Sequence, residues 1–274
     1  MKNEKVSIII PMYNSEKTIV QVLSSLEHQT AKEHILKVIV VNDGSTDESE
    51  QEVYKYAYNS GLNIELYNKI NGGVSSARNL GMLHANGSKW IAFCDSDDLW
   101  HTDKLQKQLQ VLRDNENIDL IGCAFDDKPL RIGLKRINRL YRGTVKDICI
   151  KNFPQPSTVI MKKKIYDEIG GFDEKQKYAE DGNYFLKIAA NYNLYYLPEQ
   201  LIDFGFGKRG FGETGLSSNL KEMYAGNVKN LNEIRDAGYI NTLFYMMMRI
   251  FFGLKYCRRI FITKVCGKKY EYKS

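Results

Sequence analysis

Four times in its first hundred residues the chain passes through a short apolar run and then, usually, a segment with helical apolar spacing. The runs cover residues 6–11, 37–41, 64–67 and 89–94. They are apolar nearly throughout, as strands buried on both faces must be. Between them, Ile19, Val22, Leu23 and Leu26, and later Val74, Ala77, Leu80 and Leu83, mark helices. Ser15 is expected to cap the first helix, and Thr46 or Asp47 the second. This alternation predicts an α/β fold with a Rossmann-like, mostly parallel central sheet flanked by helices. Further on, residues 102–115 read as a helix, 118–124 and 157–161 as strands, and 179–191 as a helix. Residues 125–153 are basic and follow neither period.

Composition places the chain among ordinary folded proteins, with 43% hydrophobic and 26% charged residues. The apolar stretch before Pro11 is too short for a signal peptide, so no export is expected. Five scattered cysteines without CxxC spacing point to reduced, buried thiols and a cytoplasmic setting, not a disulfide framework or zinc site. The net charge of +6 is local. From Arg249 onward eight Lys or Arg stand against Glu271 alone, so that tail carries +7 and residues 1–248 about −1.

In an open α/β sheet, ligands bind beyond the carboxyl ends of the strands. Those ends here are Pro11-Met12-Tyr13-Asn14, Asn42-Asp43-Gly44-Ser45 and Asp95-Ser96-Asp97-Asp98. Asp95 and Asp97, two apart on a turn, suit a hard cation such as Mn²⁺ or Mg²⁺ that shares its shell with substrate phosphates. Their place after an apolar strand, opposite a second acidic strand end, distinguishes them from a solvated turn. Asp43 can accept a hydrogen bond from a nucleobase, and Tyr13 can stack on one, although a strand-end tyrosine is more often packing. Arg78 can pair with phosphate or base, or be a surface charge. Glu180-Asp181 opens a helix, where acids complement the dipole. Asp181 can also be a general base for an acceptor hydroxyl.

Residues 6–14 (Val-Ser-Ile-Ile-Ile-Pro-Met-Tyr-Asn) and 40–47 (Val-Val-Asn-Asp-Gly-Ser-Thr-Asp) resemble the opening of family 2 glycosyltransferases. Residues 73–81, 93–98, 170–174 and 179–181 continue that resemblance in order and spacing. It implies a GT-A-type nucleotide-diphospho-sugar transferase that inverts the anomeric carbon. Its donor would most often be a UDP-sugar, and the group moved hexosyl or N-acetylhexosaminyl. Carried over residue by residue, Pro11, Tyr13, Asn14, Asp43, Gly44, Arg78, Asp95 and Ser96 would bind the nucleotide-sugar. Asp97, with Asp95, would bind the metal, and Asp181, with Glu180 beside it, would be the base. Residues 207–217 lack the Arg-x-His pattern of many relatives, and Lys208 or Arg209 is the candidate to meet the diphosphate. The Gln-x-x-Arg-Trp pattern of processive members is absent, which implies one sugar added per acceptor.

The resemblance implies a catalytic domain over residues 1–216, with a nucleotide part to about residue 100 and an acceptor part beyond it. Residues 217–274 form a helical, basic extension. Its aromatics and methionines beside cations suit either packing on the domain or the surface of an anionic membrane. The expected partners are a nucleotide-sugar and a glycan or lipid-linked acceptor in cell-surface polysaccharide synthesis. The expected location is the inner face of the cytoplasmic membrane, and no motif supports nucleic-acid binding. Two alternatives stay open: a sugar-phosphate nucleotidylyltransferase and a non-catalytic nucleotide-sugar-binding protein.

Overall fold

The computed structural model describes residues 4–205 and 218–266. The first half runs β1 (Val6–Met12), α1 (Ile19–Glu27), β2 (Ile35–Asn42), α2 (Ser49–Asn59), β3 (Ile64–Asn68), α3 (Val74–His84), β4 (Trp90–Phe93), β5 (Leu99–Trp100) and α4 (Lys104–Asp114). Then come β6 (Leu120–Ala124), β7 (Arg131–Ile132), β8 (Lys135–Arg136), β9 (Tyr141–Arg142), α5 (Val145–Ile150), β10 (Ile160–Lys162), α6 (Lys163–Ile169) and α7 (Glu180–Asn191). The last elements are β11 (Leu194–Gln200), β12 (Ile202–Asp203), α8 (Leu220–Asp236) and α9 (Thr242–Cys266).

Eight strands form the main sheet in the order β3-β2-β1-β4-β10-β6-β11-β9. β1, β2, β3 and β4 pair in parallel, as do β6 and β11, while β10 runs antiparallel between β4 and β6. Successive residues of each strand feed two separate cores. Ile9, Ile39, Val41, Ile91 and Phe93 pack with α3, α7 and α8. Ile8, Ile10, Val38, Val40 and Ala92 pack with α1 and α4. Both faces are therefore covered, which is why the runs are apolar nearly throughout. Gly81 lets α3 lie against β1, since a Cβ there would collide with Ile9.

Several local expectations change. Ser15 does not cap α1 with its side chain: its carbonyl receives the N–H groups of Thr18 at 3.0 Å and Ile19 at 2.9 Å, and its hydroxyl pairs with Ser96 at 2.7 Å. Asp47 does serve α2, accepting the Ser49 N–H at 3.1 Å. Residues 157–161 are not one strand, because Pro156–Thr158 is a 3₁₀ turn and β10 begins at Ile160. α6 and β11 are further elements for which the sequence carries no marked period. Cys94, Cys123 and Cys149 are buried free thiols, whereas Cys257 is exposed. The expected boundary at residues 216 and 217 lies outside the described residues. Beyond it, α8 and α9 add Leu231, Ile234, Met248 and Phe252 to the first core.

Candidate active site

Every parallel strand of the first half ends on the same edge of the sheet, and side chains tie those ends together. Asn14, in the left-handed region at φ 49°, donates its N–H to Ser45 Oγ at 3.0 Å and accepts the Thr46 N–H on Oδ1 at 2.8 Å. Asn tolerates that conformation better than a branched residue. The Thr18 hydroxyl donates to the Ser96 carbonyl at 2.6 Å, which with the Ser15–Ser96 pair joins the β1 loop to the β4 loop. Pro11 is buried within β1, while Tyr13 just beyond it is 52% exposed.

Asp43 is buried at the end of β2, and its carboxylate organises the next loop. It accepts from Lys69 Nζ at 2.6 Å and from the N–H groups of Gly72 at 2.9 Å and Gly73 at 2.8 Å. A carboxylate offers about four acceptor positions, so roughly one is left for a ligand. Gly44 sits beside it at φ 75°. Lys69 went unnoticed in the sequence, because a lysine after a strand has no signature.

Arg78 is 3% exposed, so it is not a surface charge. It projects from α3 across the strand ends: Nη2 meets Asp95 Oδ1 at 2.8 Å and Nη1 meets Glu180 Oε1 at 3.5 Å. Its guanidinium carbon lies 5.2 Å from the centre of the Phe172 ring. One cation thus joins the aspartate cluster after β4 to the acidic start of α7. The Asp95 N–H donates to Ser157 Oγ at 2.8 Å. Asp98 is 1% exposed and accepts the Gly205 N–H at 2.7 Å, while its Oδ2 is buried with no hydrogen-bond partner among the described residues. Burial, then the neighbouring Asp95 carboxylate, pushes Asp98 up to about 7.

The α7 end is built with equal care. Ala179 precedes Glu180 in the left-handed region at φ 56°, and Asn230 and Gln176 donate to its carbonyl at 2.8 and 3.2 Å. Asp181 accepts from Asn152 Nδ2 at 3.0 Å and from the Gly182 N–H at 2.7 Å. Burial, reinforced by Asp181 and opposed by Arg78, pushes Glu180 up to about 7. Burial also raises Asp181, against the pull of the Gly182 N–H, Arg78 and Asn152. Asn79 ties α3 to residues 170–174: it donates to the Phe172 carbonyl at 2.9 Å and to Glu174 Oε1 at 2.8 Å, and accepts the Phe172 N–H at 2.8 Å. A Cβ on Gly171 would strike Asn79, so this close approach requires glycine. Asn152, Ser157, Gln176 and Asn230 carry no sequence signal, since each acts through a partner distant in the chain. Lys208 and Arg209 lie outside the described residues.

The profile of "Glycosyl transferase family 2" matches residues 7–170. An uncharacterised glycosyltransferase of Rickettsia prowazekii is 29% identical over 240 residues, 83% of this chain and 73% of that relative. Seven further curated relatives are spanned over between 16% and 62% of their length. Among these, the poly(ribitol-phosphate) β-N-acetylglucosaminyltransferase TarS of Staphylococcus aureus is 29% identical over 200 residues, 69% of this chain and 33% of TarS. The fold is that of S. aureus TarS 1–349 in complex with UDP-GlcNAc, with TM-score 0.72 and 24% identity over 90% of this chain and 71% of that one. A Pyrobaculum calidifontis mannosyltransferase in complex with GDP-Man and Mn²⁺ superposes with TM-score 0.67 and 20% identity, covering 89% of this chain and 68% of that one.

Proposed function

The chain belongs to glycosyltransferase family 2, and from that premise we propose that it moves a sugar, with inversion, from a nucleotide-diphospho-sugar to an acceptor hydroxyl. The donor is a UDP-sugar and the acceptor a glycan or lipid-linked glycan of the cell surface. The observation that carries this reading is the Arg78 bridge. It holds the carboxylates of the β4 end within one side chain's reach of those opening α7. Inverting displacement needs such opposed groups: a leaving diphosphate held on one side, a base for the incoming hydroxyl on the other.

Tyr13 stacks on the base and Asp43 accepts from its edge, with Pro11, Asn14, Gly44 and Ser96 shaping the same ledge. Asp181 takes the acceptor's proton as its oxygen bonds the anomeric carbon and the bond to the diphosphate breaks. Glu180, beside it, keeps Arg78 in place. Lys208 or Arg209 meets the diphosphate. Asp95 and Asp97 present only oxygen donors, which fits Mn²⁺ or Mg²⁺. Among the described residues no group of three His, Cys, Asp or Glu is arranged to hold a metal alone, and in this reading donor phosphates share the shell. When bound, the cation supplies charge neutralisation for the leaving diphosphate.

Metal affinity should therefore depend on nucleotide. By calorimetry, Mn²⁺ is expected to bind weakly to the protein alone and at least ~10-fold more tightly with UDP present. Asp97→Ala is expected to remove that coupling and cut transfer by about 10²-fold or more. A donor screen by mass spectrometry with Mn²⁺ and membrane extract tests the activity itself. Release of pyrophosphate from a sugar phosphate and a nucleoside triphosphate would instead identify a nucleotidylyltransferase.

α9 supports work at the inner face of the cytoplasmic membrane. Among the described residues no helix is long and apolar enough to cross a membrane. On α9, Met248 and Phe252 face the core, while seven large apolar side chains are exposed, among them Leu243, Met246, Met247, Ile250, Leu254 and Phe261. At 100° per residue those six fall within an arc of about 100° opposite the packed face. Arg249 and Arg258 border it. Burial, with Arg259 and Lys151 nearby, pushes Lys255 down to about 8, a crowding of cations that anionic headgroups relieve. The full chain is expected to sediment with phosphatidylglycerol vesicles and not with phosphatidylcholine vesicles. Ile250→Glu with Leu254→Glu should lower that binding at least ~10-fold while UDP affinity holds. Equal binding by the variant would refute the membrane role.

A further inference from the structure

The segment between β6 and β9 carries charge that none of the roles above uses. From Lys128 to Arg142 there are six Lys or Arg and no Asp or Glu. β7 and β8 form a hairpin within it, anchored from beneath by Leu130, Ile132 and Ile137, all buried in the first core. The Ile137 N–H donates to the Leu130 carbonyl at 2.9 Å and closes the base. With Leu130, Ile132 and Ile137 turned inward, Arg131, Lys135, Arg136, Arg139 and Arg142 are exposed.

The pairing register sets Arg131 directly opposite Arg136. Like charges across a strand pair oppose the pairing, so this arrangement costs stability unless an anion sits between them. Arg131, Arg136, Arg139 and Arg142 make no ion pair among the described residues. The position is equally specific. β10 is antiparallel to both β4 and β6, so β4 and β6 point the same way and Ala124 ends on the edge where Asp95 lies. The Phe125 ring packs on Phe204 with centroids 5.5 Å apart, and the next residue, Gly205, donates to Asp98. The basic segment thus starts one ring contact from the aspartate cluster. It lies on the β6–β11–β9 side of the sheet, away from Asp43 at the end of β2.

We propose that this hairpin is a binding ledge for an acceptor that itself carries phosphate groups. The proposal rests on the glycosyltransferase reading above and names its acceptor class. Guanidinium groups match phosphate oxygens with paired hydrogen bonds, and several spaced along one strip suit a chain of repeated phosphates. The donor's base is held on the other side of the sheet, at Tyr13 and Asp43, and its diphosphate is matched by the metal at Asp95 and Asp97, so the cations of the hairpin are left for another anion. A lipid surface fits the hairpin less well: its tip exposes one large apolar side chain, Leu134, against seven on α9.

The test uses the full chain with a fluorescently labelled glycerol-phosphate oligomer, an uncharged dextran oligomer and phosphatidylglycerol vesicles as probes. The wild-type protein is expected to bind the phosphate oligomer, more weakly as salt rises, and not the dextran. Combined Arg131→Gln, Arg136→Gln and Arg139→Gln should weaken oligomer binding about 10-fold or more. UDP affinity in the presence of Mn²⁺ is measured on the same samples to show that the variant is folded. Unchanged oligomer binding by the variant overturns the proposal. So does binding confined to vesicles and lost in the variant, which would assign the hairpin to lipid. Failure of the wild-type protein to bind UDP would count against the donor assignment and not against the ledge.

Discussion

Asp181→Asn is expected to lower transfer by about 10²- to 10⁴-fold while leaving UDP affinity nearly unchanged. The amide keeps the size of the carboxylate, and its one oxygen can still accept from either the Gly182 N–H or Asn152 Nδ2, which meet different oxygens of Asp181. What it loses is the ability to take a proton. Single-turnover transfer and nucleotide titration on the same preparation separate the two effects, and a variant that transfers at the wild-type rate would end the base assignment. The pH dependence carries the same signature. With Glu180 raised to about 7 and Asp181 raised alongside it, the base is protonated at low pH, so wild-type kcat/KM should climb as pH rises toward neutrality. Glu180→Gln removes a like charge beside Asp181 and should move that limb to lower pH.

Stability should run the opposite way. A carboxyl whose folded pKa lies above its unfolded value stabilises the fold below the unfolded pKa, and that contribution is lost as pH rises through the folded value. For Glu180 the window extends from near its ordinary value of 4.5 to about 7. The Tm of Glu180→Gln, compared with the wild type, should therefore improve between pH 5 and pH 8. A difference that stays flat over that interval would mean that Glu180 is already ionised in the folded protein at pH 5.

Arg78→Met is expected to cost about 3–5 kcal/mol of unfolding free energy, the largest stability loss of any single change at the site. The methionine fills much of the space over Phe172 but leaves Asp95 and Glu180 facing each other without the cation between them. Glu180 would then titrate still higher, so the variant should also lose transfer at neutral pH. Chemical denaturation gives the magnitude, and the double variant Arg78→Met with Glu180→Gln should recover part of it, because one of the stranded acids is gone. Arg78→Lys keeps the charge but not the fork, and a single ammonium has difficulty serving both partners. Full stability in Arg78→Met would show that the bridge is dispensable.

Much of the donor half was legible because its signals are local. Residues 6–12 and 35–42 are apolar nearly throughout since both faces of the sheet are covered, and a polar group directly after such a run must lie at a strand end. That reasoning located Tyr13, Asp43 and the Asp95–Asp98 cluster. It misjudged Ser15, whose hydroxyl looks like a cap when only the next four residues are considered. In the fold it is drawn to Ser96, which is 81 positions away. The basic stretch before residue 142 resisted periodic reading because its strands are two residues long, too short to establish a period.

The sequence by itself determined the layered α/β class, the order of the first strands and the family, because buried strands and turn chemistry are written in neighbouring residues. Only the tertiary structure decided which acids act together. Arg78 and Glu180 are 102 positions apart, and Asn152 and Asp181 are 29 apart. No spacing rule links such pairs. The sheet order brings α3, the end of β4 and the start of α7 to one edge. Burial there makes an unpaired charge costly enough that each acid must have a partner. The cationic hairpin shows the converse, for its charges were plain in the sequence, but the register that opposes Arg131 to Arg136 exists only in the fold.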